Sequence, residues 1–129
     1  MQQDLQVMEH LAQADVLIPI PLSAQRMRER GYNPAAQLAQ HLSPAKYQPH
    51  CLQRIRHTPA QSDLTRAERL RNLRHAFAVA DAQRPHIAGR RVLLLDDVMT
   101  TGATCTTASY CLLQAGASQI QVLCLARTP

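Results

Sequence analysis

Four apolar residues in a row, Val92-Leu93-Leu94-Leu95, run directly into Asp96 and Asp97. The run is too short for a helix and has no polar alternation, so it predicts a strand of a parallel sheet, covered on both faces. In such sheets ligands gather beyond the carboxyl ends of the strands, which puts any chemistry at the acidic pair. Downstream, Ala108, Cys111, Leu112 and Ala115 repeat at i, i+3, i+4 and i+7 before Gly116, a helical face with its stop signal. A strand pattern returns at Ile120 to Ala126.

Upstream, the spacing predicts a helix near Asp4 to Ala12 and a strand at Val16 to Ile20. Pro19 and Pro21 remove backbone donors and stiffen the exit of that strand. Asn33 is placed to cap a helix at Pro34 to His41, with Ala35, Leu38, Ala39 and Leu42 as its buried face. A strand near Cys51 to Arg54 follows. His57 to Asp63 has no apolar period and reads as a mobile loop, and Thr65 with Glu68 forms a capping box that opens a short helix. A strand near Ala76 to Val79 leads to the apolar run. The alternation predicts an α/β fold with a mainly parallel central sheet flanked by helices on both faces. The 129 residues suffice for one core, hence a single domain over 1–129.

The turn between the acidic pair and its helix carries candidate chemistry. Thr100, Thr101 and Thr104 offer hydroxyls, and Gly102 lets the backbone turn its N–H groups around an anion. The amino end of the following helix adds free N–H groups and a positive partial charge, so a phosphate fits there. Asp96 and Asp97 would repel a bare phosphate by ~4 kcal/mol per pair at 4 Å and moderate dielectric. A sugar diol that donates to the carboxylates, or a Mg²⁺ bridging sugar and phosphate oxygens, resolves that conflict. The whole motif therefore suits a sugar phosphate.

Charge adds to this. The net charge of +5 is carried by thirteen Arg and one Lys, a preference that suits bidentate grip on phosphate. Between Cys51 and Val79, six arginines (Arg54, Arg56, Arg66, Arg69, Arg71 and Arg74) face only Asp63 and Glu68. Only four aromatics and no Trp make stacking surfaces for single-stranded nucleic acid scarce, so a DNA role would rest on charge. No run approaches eighteen apolar residues and no basic leader precedes an apolar segment, which predicts neither membrane insertion nor secretion. Cys51, Cys105, Cys111 and Cys124 are then expected to be reduced thiols in the cytoplasm.

The strand, acidic pair and Thr-Thr-Gly-Ala-Thr turn resemble the phosphoribosyl-pyrophosphate (PRPP) loop of type I phosphoribosyltransferases. Further pieces are Pro19-Ile20-Pro21, the Arg28-Glu29-Arg30-Gly31-Tyr32-Asn33 run, and the set Thr58, Gln61, Leu64, Arg69, Asn72, Ala76 and Phe77. Together with the closing strand Gln121 to Arg127, these make the chain resemble the ComF/GntX-like phosphoribosyltransferase family, associated with competence for DNA uptake. Its members generally begin with a four-cysteine zinc module. Here no Cys precedes Cys51 and there is no Cys-x-x-Cys, so the chain reads as lacking that module and no zinc site is expected.

The resemblance implies transfer of phosphoribosyl from PRPP to a nitrogen acceptor with release of pyrophosphate. It puts Asp96 and Asp97 at the ribose hydroxyls and in the catalytic role, and Thr100, Thr101, Gly102, Ala103 and Thr104 around the 5′-phosphate. Mg²⁺ is implied through Asp96, Asp97 and the ligand. The loop after Ile20 would hold pyrophosphate, with Arg26, Arg28 or Arg30, and Arg54 and Arg56 would reach the same anion when the mobile loop closes. A non-catalytic alternative stands beside it, a sensor of PRPP or a nucleotide, or a handler of single-stranded DNA for the competence machinery. A homodimer is left open. His57 reads as a solvated loop histidine. Cys105, in the first helical turn, is a position where the dipole lowers a thiol pKa, at most a redox liability.

Overall fold

The structure, a computed structural model, describes residues 2–55, 76–99 and 102–127. Its elements in chain order are α1 (Gln2–Gln13), β1 (Val16–Pro19), α2 (Ala24–Arg30), α3 (Pro34–Leu42), β2 (Gln53–Arg54), β3 (Phe77–Ala78), a 3-10 segment (Asp81–His86), β4 (Arg91–Met99), α4 (Ala103–Gln114) and β5 (Gln119–Arg127).

The apolar run becomes the middle of the sheet. β4 lies between β1 and β5 and is parallel to both, with Leu94 opposite Ile18 on one side and Val122 on the other. Val92 to Leu95 are at most 2% exposed, because both faces are covered. On one face Val92 and Leu94 join Val16, Ile18, Ala108 and Leu112, so α4 is the cover. On the other, Leu93 and Leu95 join Leu17, Ala35 and Ala39, so α3 is the cover, with Leu11 of α1 against the same cluster. This is the parallel sheet with helices on both faces that the sequence pattern predicts.

A bridge from Tyr47 to Leu17 adds a further parallel position on the outer side of β1. After β1 the chain thus passes to the Tyr47 side, whereas after β4 it passes through α4 to β5 on the other side. The connections diverge between the carboxyl ends of β1 and β4, and that gap is the topological switch point of the sheet.

Two local features differ from the expectation. α2 was not anticipated, because it has no buried residue and no apolar period. It is held by its ends: Ser23 Oγ accepts from the Arg26 N–H at 3.2 Å, and Gly31, at φ 78°, returns its N–H to the Met27 carbonyl at 2.8 Å. β2 and β3 pair antiparallel over two residues each, shorter than the predicted strands. Gln53 and Arg54 are exposed, so no buried face extends the ladder. The loop at 57–63 and the helix opened by Thr65 and Glu68 lie outside the described residues, as do Arg56, Arg66, Arg69, Arg71 and Arg74. Among the described residues no helix is long and apolar enough to cross a membrane.

At the amino ends of the strands, Asp15 anchors the entry to β4. Its Oδ2 accepts from the Arg91 N–H at 2.8 Å and from Arg91 Nε at 3.3 Å, while the Asp15 N–H donates to the Arg91 carbonyl at 2.8 Å. The backbone N–H first, and the guanidinium next, hold the Asp15 carboxyl below its ordinary value of 3.8. A depressed acid stabilises the fold above its unfolded value, and that contribution is lost as pH falls through the lower folded-state value. Asp15→Asn should therefore lower the denaturation midpoint at neutral pH and flatten its fall in acid, checked by urea titrations from about pH 6 to about pH 2. Equal acid sensitivity of the two proteins would contradict the assignment.

Candidate functional site

Period-2 alternation along β4 decides where the acidic pair goes. Asp96 follows Val92 and Leu94 onto the face covered by α4, and Asp97 follows Leu93 and Leu95 onto the opposite face. The contacts agree. Cys105 in α4 donates its thiol to Asp96 Oδ2 at 3.3 Å, while Arg30, at the end of α2, donates Nη1 to Asp97 Oδ2 at 2.8 Å. The Asp97 N–H closes the pair by donating to Asp96 Oδ1 at 2.9 Å. Asp96 is 7% exposed and Asp97 5%.

Both carboxylates nevertheless line one crevice of about 140 Å³, set at the switch point between β1 and β4. Its other walls are residues 20–23, Arg26 of α2, Arg54 of β2 and Thr104 of α4. Asn33 fixes the β1 side: its Nδ2 donates to the Ile20 carbonyl at 3.1 Å, and its Oδ1 accepts from the Ala35 N–H at 3.0 Å as the predicted cap of α3. Arg54 is aimed from below. Its Nε donates to the Pro21 carbonyl at 3.0 Å and its guanidinium lies 4.8 Å from the centre of the Phe77 ring, its cross-strand partner.

Gly102 makes the turn into α4 with φ 81°, a left-handed conformation that a side chain would strain, and its carbonyl accepts from the Thr106 N–H at 2.9 Å. This brings the amino end of α4, with Ala103 and Thr104, beside the acidic pair. Thr100, Thr101 and Arg56 lie outside the described residues. Of the remaining sequence candidates, Arg26 and Arg54 reach the crevice, Arg30 is taken up by Asp97, and Arg28 is exposed on α2.

The electrostatics separate the groups. Burial pushes the Asp96 carboxyl above the usual carboxylate value, with the Cys105 thiol opposing and the Asp97 charge adding to the rise. Burial likewise draws the Arg54 guanidinium below its ordinary value, against the pull of Asp96. The Cys105 thiol is pushed up to about 12 by burial and by Asp96. Burial first, and the carboxylate 3.3 Å away next, thus outweigh the lowering that the helix end alone would give, and Cys105 serves here as a hydrogen-bond donor. Its role as partner of Asp96 had no signal in sequence.

The chain's residues 26–129 match the model of the phosphoribosyl transferase domain. The chain belongs to the phosphoribosyl transferase domain family. Within it, its relatives are ComF-like. It is 40% identical over 116 residues to Competence protein F of Haemophilus influenzae, covering 88% of this chain and 50% of that protein. It is 36% identical over 117 residues to the DNA utilization protein YhgH of Escherichia coli K12, with the same coverage, and 37% identical over 108 residues to Competence protein ComFC of Bacillus subtilis, covering 78% and 39%. The chain thus spans about half the length of the curated relatives it matches, or less. Among solved structures it is similar to the allosteric regulatory enzyme of purine biosynthesis, at TM-score 0.55 and 23% identity, covering 87% of this chain and 22% of that one, which supports the fold.

The Arg30–Asp97 pair joins an exposed helix to the buried end of the central strand. Arg30→Met should lower stability by about 1–2 kcal/mol, since Arg30 is partly exposed and screened while Asp97 is not. Urea denaturation of both proteins measures this, and an unchanged midpoint would count against the pair as an anchor.

Proposed function

We propose that this chain binds PRPP at the crevice between β1 and β4 and transfers its phosphoribosyl group to a nitrogen acceptor, releasing pyrophosphate. The observation that carries the reading is the meeting of Asp96, Asp97, Arg26 and Arg54 beside the amino end of α4 at the switch point of a phosphoribosyltransferase-type sheet. On this reading the single domain of 1–129 holds the whole PRPP grip.

Each group has a task. Asp96 and Asp97 accept from the ribose hydroxyls, and the turn of Thr100, Thr101, Gly102, Ala103 and Thr104 cups the 5′-phosphate with N–H and hydroxyl donors. Arg26 and Arg54, which line the crevice, face the pyrophosphate, Arg28 is a further candidate on α2, and Arg56, outside the described residues, stays a candidate from the sequence alone. Arg30 starts on Asp97 and serves the anion only if that pair opens. Catalysis is then positional and electrostatic: the chain holds the sugar while charge grows on the departing pyrophosphate.

Two neighbouring carboxylates suit Mg²⁺, a hard cation that takes one or two protein carboxylates and completes its shell with ligand phosphates and water. On this reading the cation would be held by Asp96 and Asp97 together with the ligand's own oxygens. When bound, it neutralises charge on the pyrophosphate.

A second reading is a non-catalytic one, a sensor of PRPP or a nucleotide or a handler of single-stranded DNA; the relatives' names, which speak of competence and DNA utilization, support the link to DNA that it shares with the first. Cytoplasmic location suits both readings.

Saturating PRPP with Mg²⁺, at a hundred times its dissociation constant, should stabilise the fold by about 2.7 kcal/mol, and Asp96→Asn/Asp97→Asn should abolish the effect. No thermal shift of the wild-type protein would reject the site. Pyrophosphate release that depends on an added base or amine marks the transferase; a silent screen with PRPP-bound protein favours the sensor. If single-stranded DNA binds, its affinity should fall steeply between about 50 mM and about 200 mM salt, measured by fluorescence anisotropy, since charge is its only evident basis.

A further inference from the structure

Asp96 is held by protein donors on both oxygens: the Asp97 N–H reaches Oδ1 at 2.9 Å and the Cys105 thiol reaches Oδ2 at 3.3 Å. The amide is part of the backbone and comes with any residue at 97. The thiol is a choice of side chain. Cys105 sits in the first full turn of α4, is 4% exposed, and lies over the face that Asp96 shares with its register partner Cys124. This carboxylate would otherwise rotate about its side-chain bonds at the tip of a strand whose neighbours are apolar.

The geometry points to Cys105 as a positioning residue that sets the rotamer of Asp96, so that the free lone pairs of the carboxylate face the crevice and a sugar hydroxyl. Each carboxylate oxygen can accept two hydrogen bonds, so the amide and the thiol do not by themselves exhaust the carboxylate's acceptor capacity. A thiol suits the task because it is a weak donor, fixing direction while leaving most of the negative charge for the ligand.

The inference rests on Asp96 facing a ligand hydroxyl, and its test separates the two claims. Cys105→Ala removes the donor and Cys105→Ser keeps one. With PRPP and Mg²⁺ in calorimetric titration, Cys105→Ala should bind about three- to tenfold more weakly, the worth of one modest hydrogen bond, while Cys105→Ser stays close to wild type. Equal loss in both variants would mark a packing role and overturn the proposal, as would unchanged affinity in Cys105→Ala. Independently of any ligand, the infrared difference spectrum of wild type minus Cys105→Ala isolates the S–H stretch of this thiol. A band shifted below that of a solvent-exposed thiol supports the bond to Asp96, and a band at the free position refutes it. If wild type itself fails to bind PRPP, the functional reading falls and the infrared band alone decides the positioning claim.

Discussion

β4 is paired on both edges and buried on both faces, and that double constraint governs everything at its carboxyl end. A strand so enclosed cannot slip in register without moving its apolar residues from one core to the other, because its side chains alternate strictly between faces. The two aspartates that follow inherit this alternation. They are adjacent in the chain yet project to opposite sides of the sheet, where α4 supplies a thiol to one and α2 an arginine to the other. The crevice between β1 and β4 then reunites them, since it opens at the strand ends and is reached from both faces.

The two carboxylates are consequently unlike each other. Asp97 begins with a full positive charge 2.8 Å away and is the anchor of an otherwise exposed helix. Asp96 meets an amide and a thiol at hydrogen-bond distance, in a buried setting that disfavours its charge. A site built this way has one acid beside a compensating charge and one whose charge burial disfavours. That asymmetry arises from packing, and it gives neighbouring residues of the same type different surroundings.

Membership of the phosphoribosyl transferase domain family agrees with the position of the crevice, and the ComF-like relatives extend over most of the chain. Competence protein F is about twice as long as the stretch it shares with this chain. What this chain holds is the sheet, the acidic strand end and the arginines around it.

Most of the fold was legible because its determinants are local. Val92 to Leu95 specified a doubly covered strand, Asn33 and Pro34 a helix start, and Ala108, Leu112 and Gly116 a helix and its end, each within a few residues. α2 escaped because its caps, Ser23 and Gly31, and the distant Asp97 hold it while no apolar period marks it. Asp96 and Asp97 were legible as a pair at a strand tip, but their partners were not. Arg30 lies 67 residues from Asp97, and Cys105 reaches Asp96 only because α4 folds back over β4. Local pattern determines which residues a strand end presents; only the packing of distant elements against it determines which charge or donor each of them meets, because those contacts depend on chain closure that no short-range period encodes.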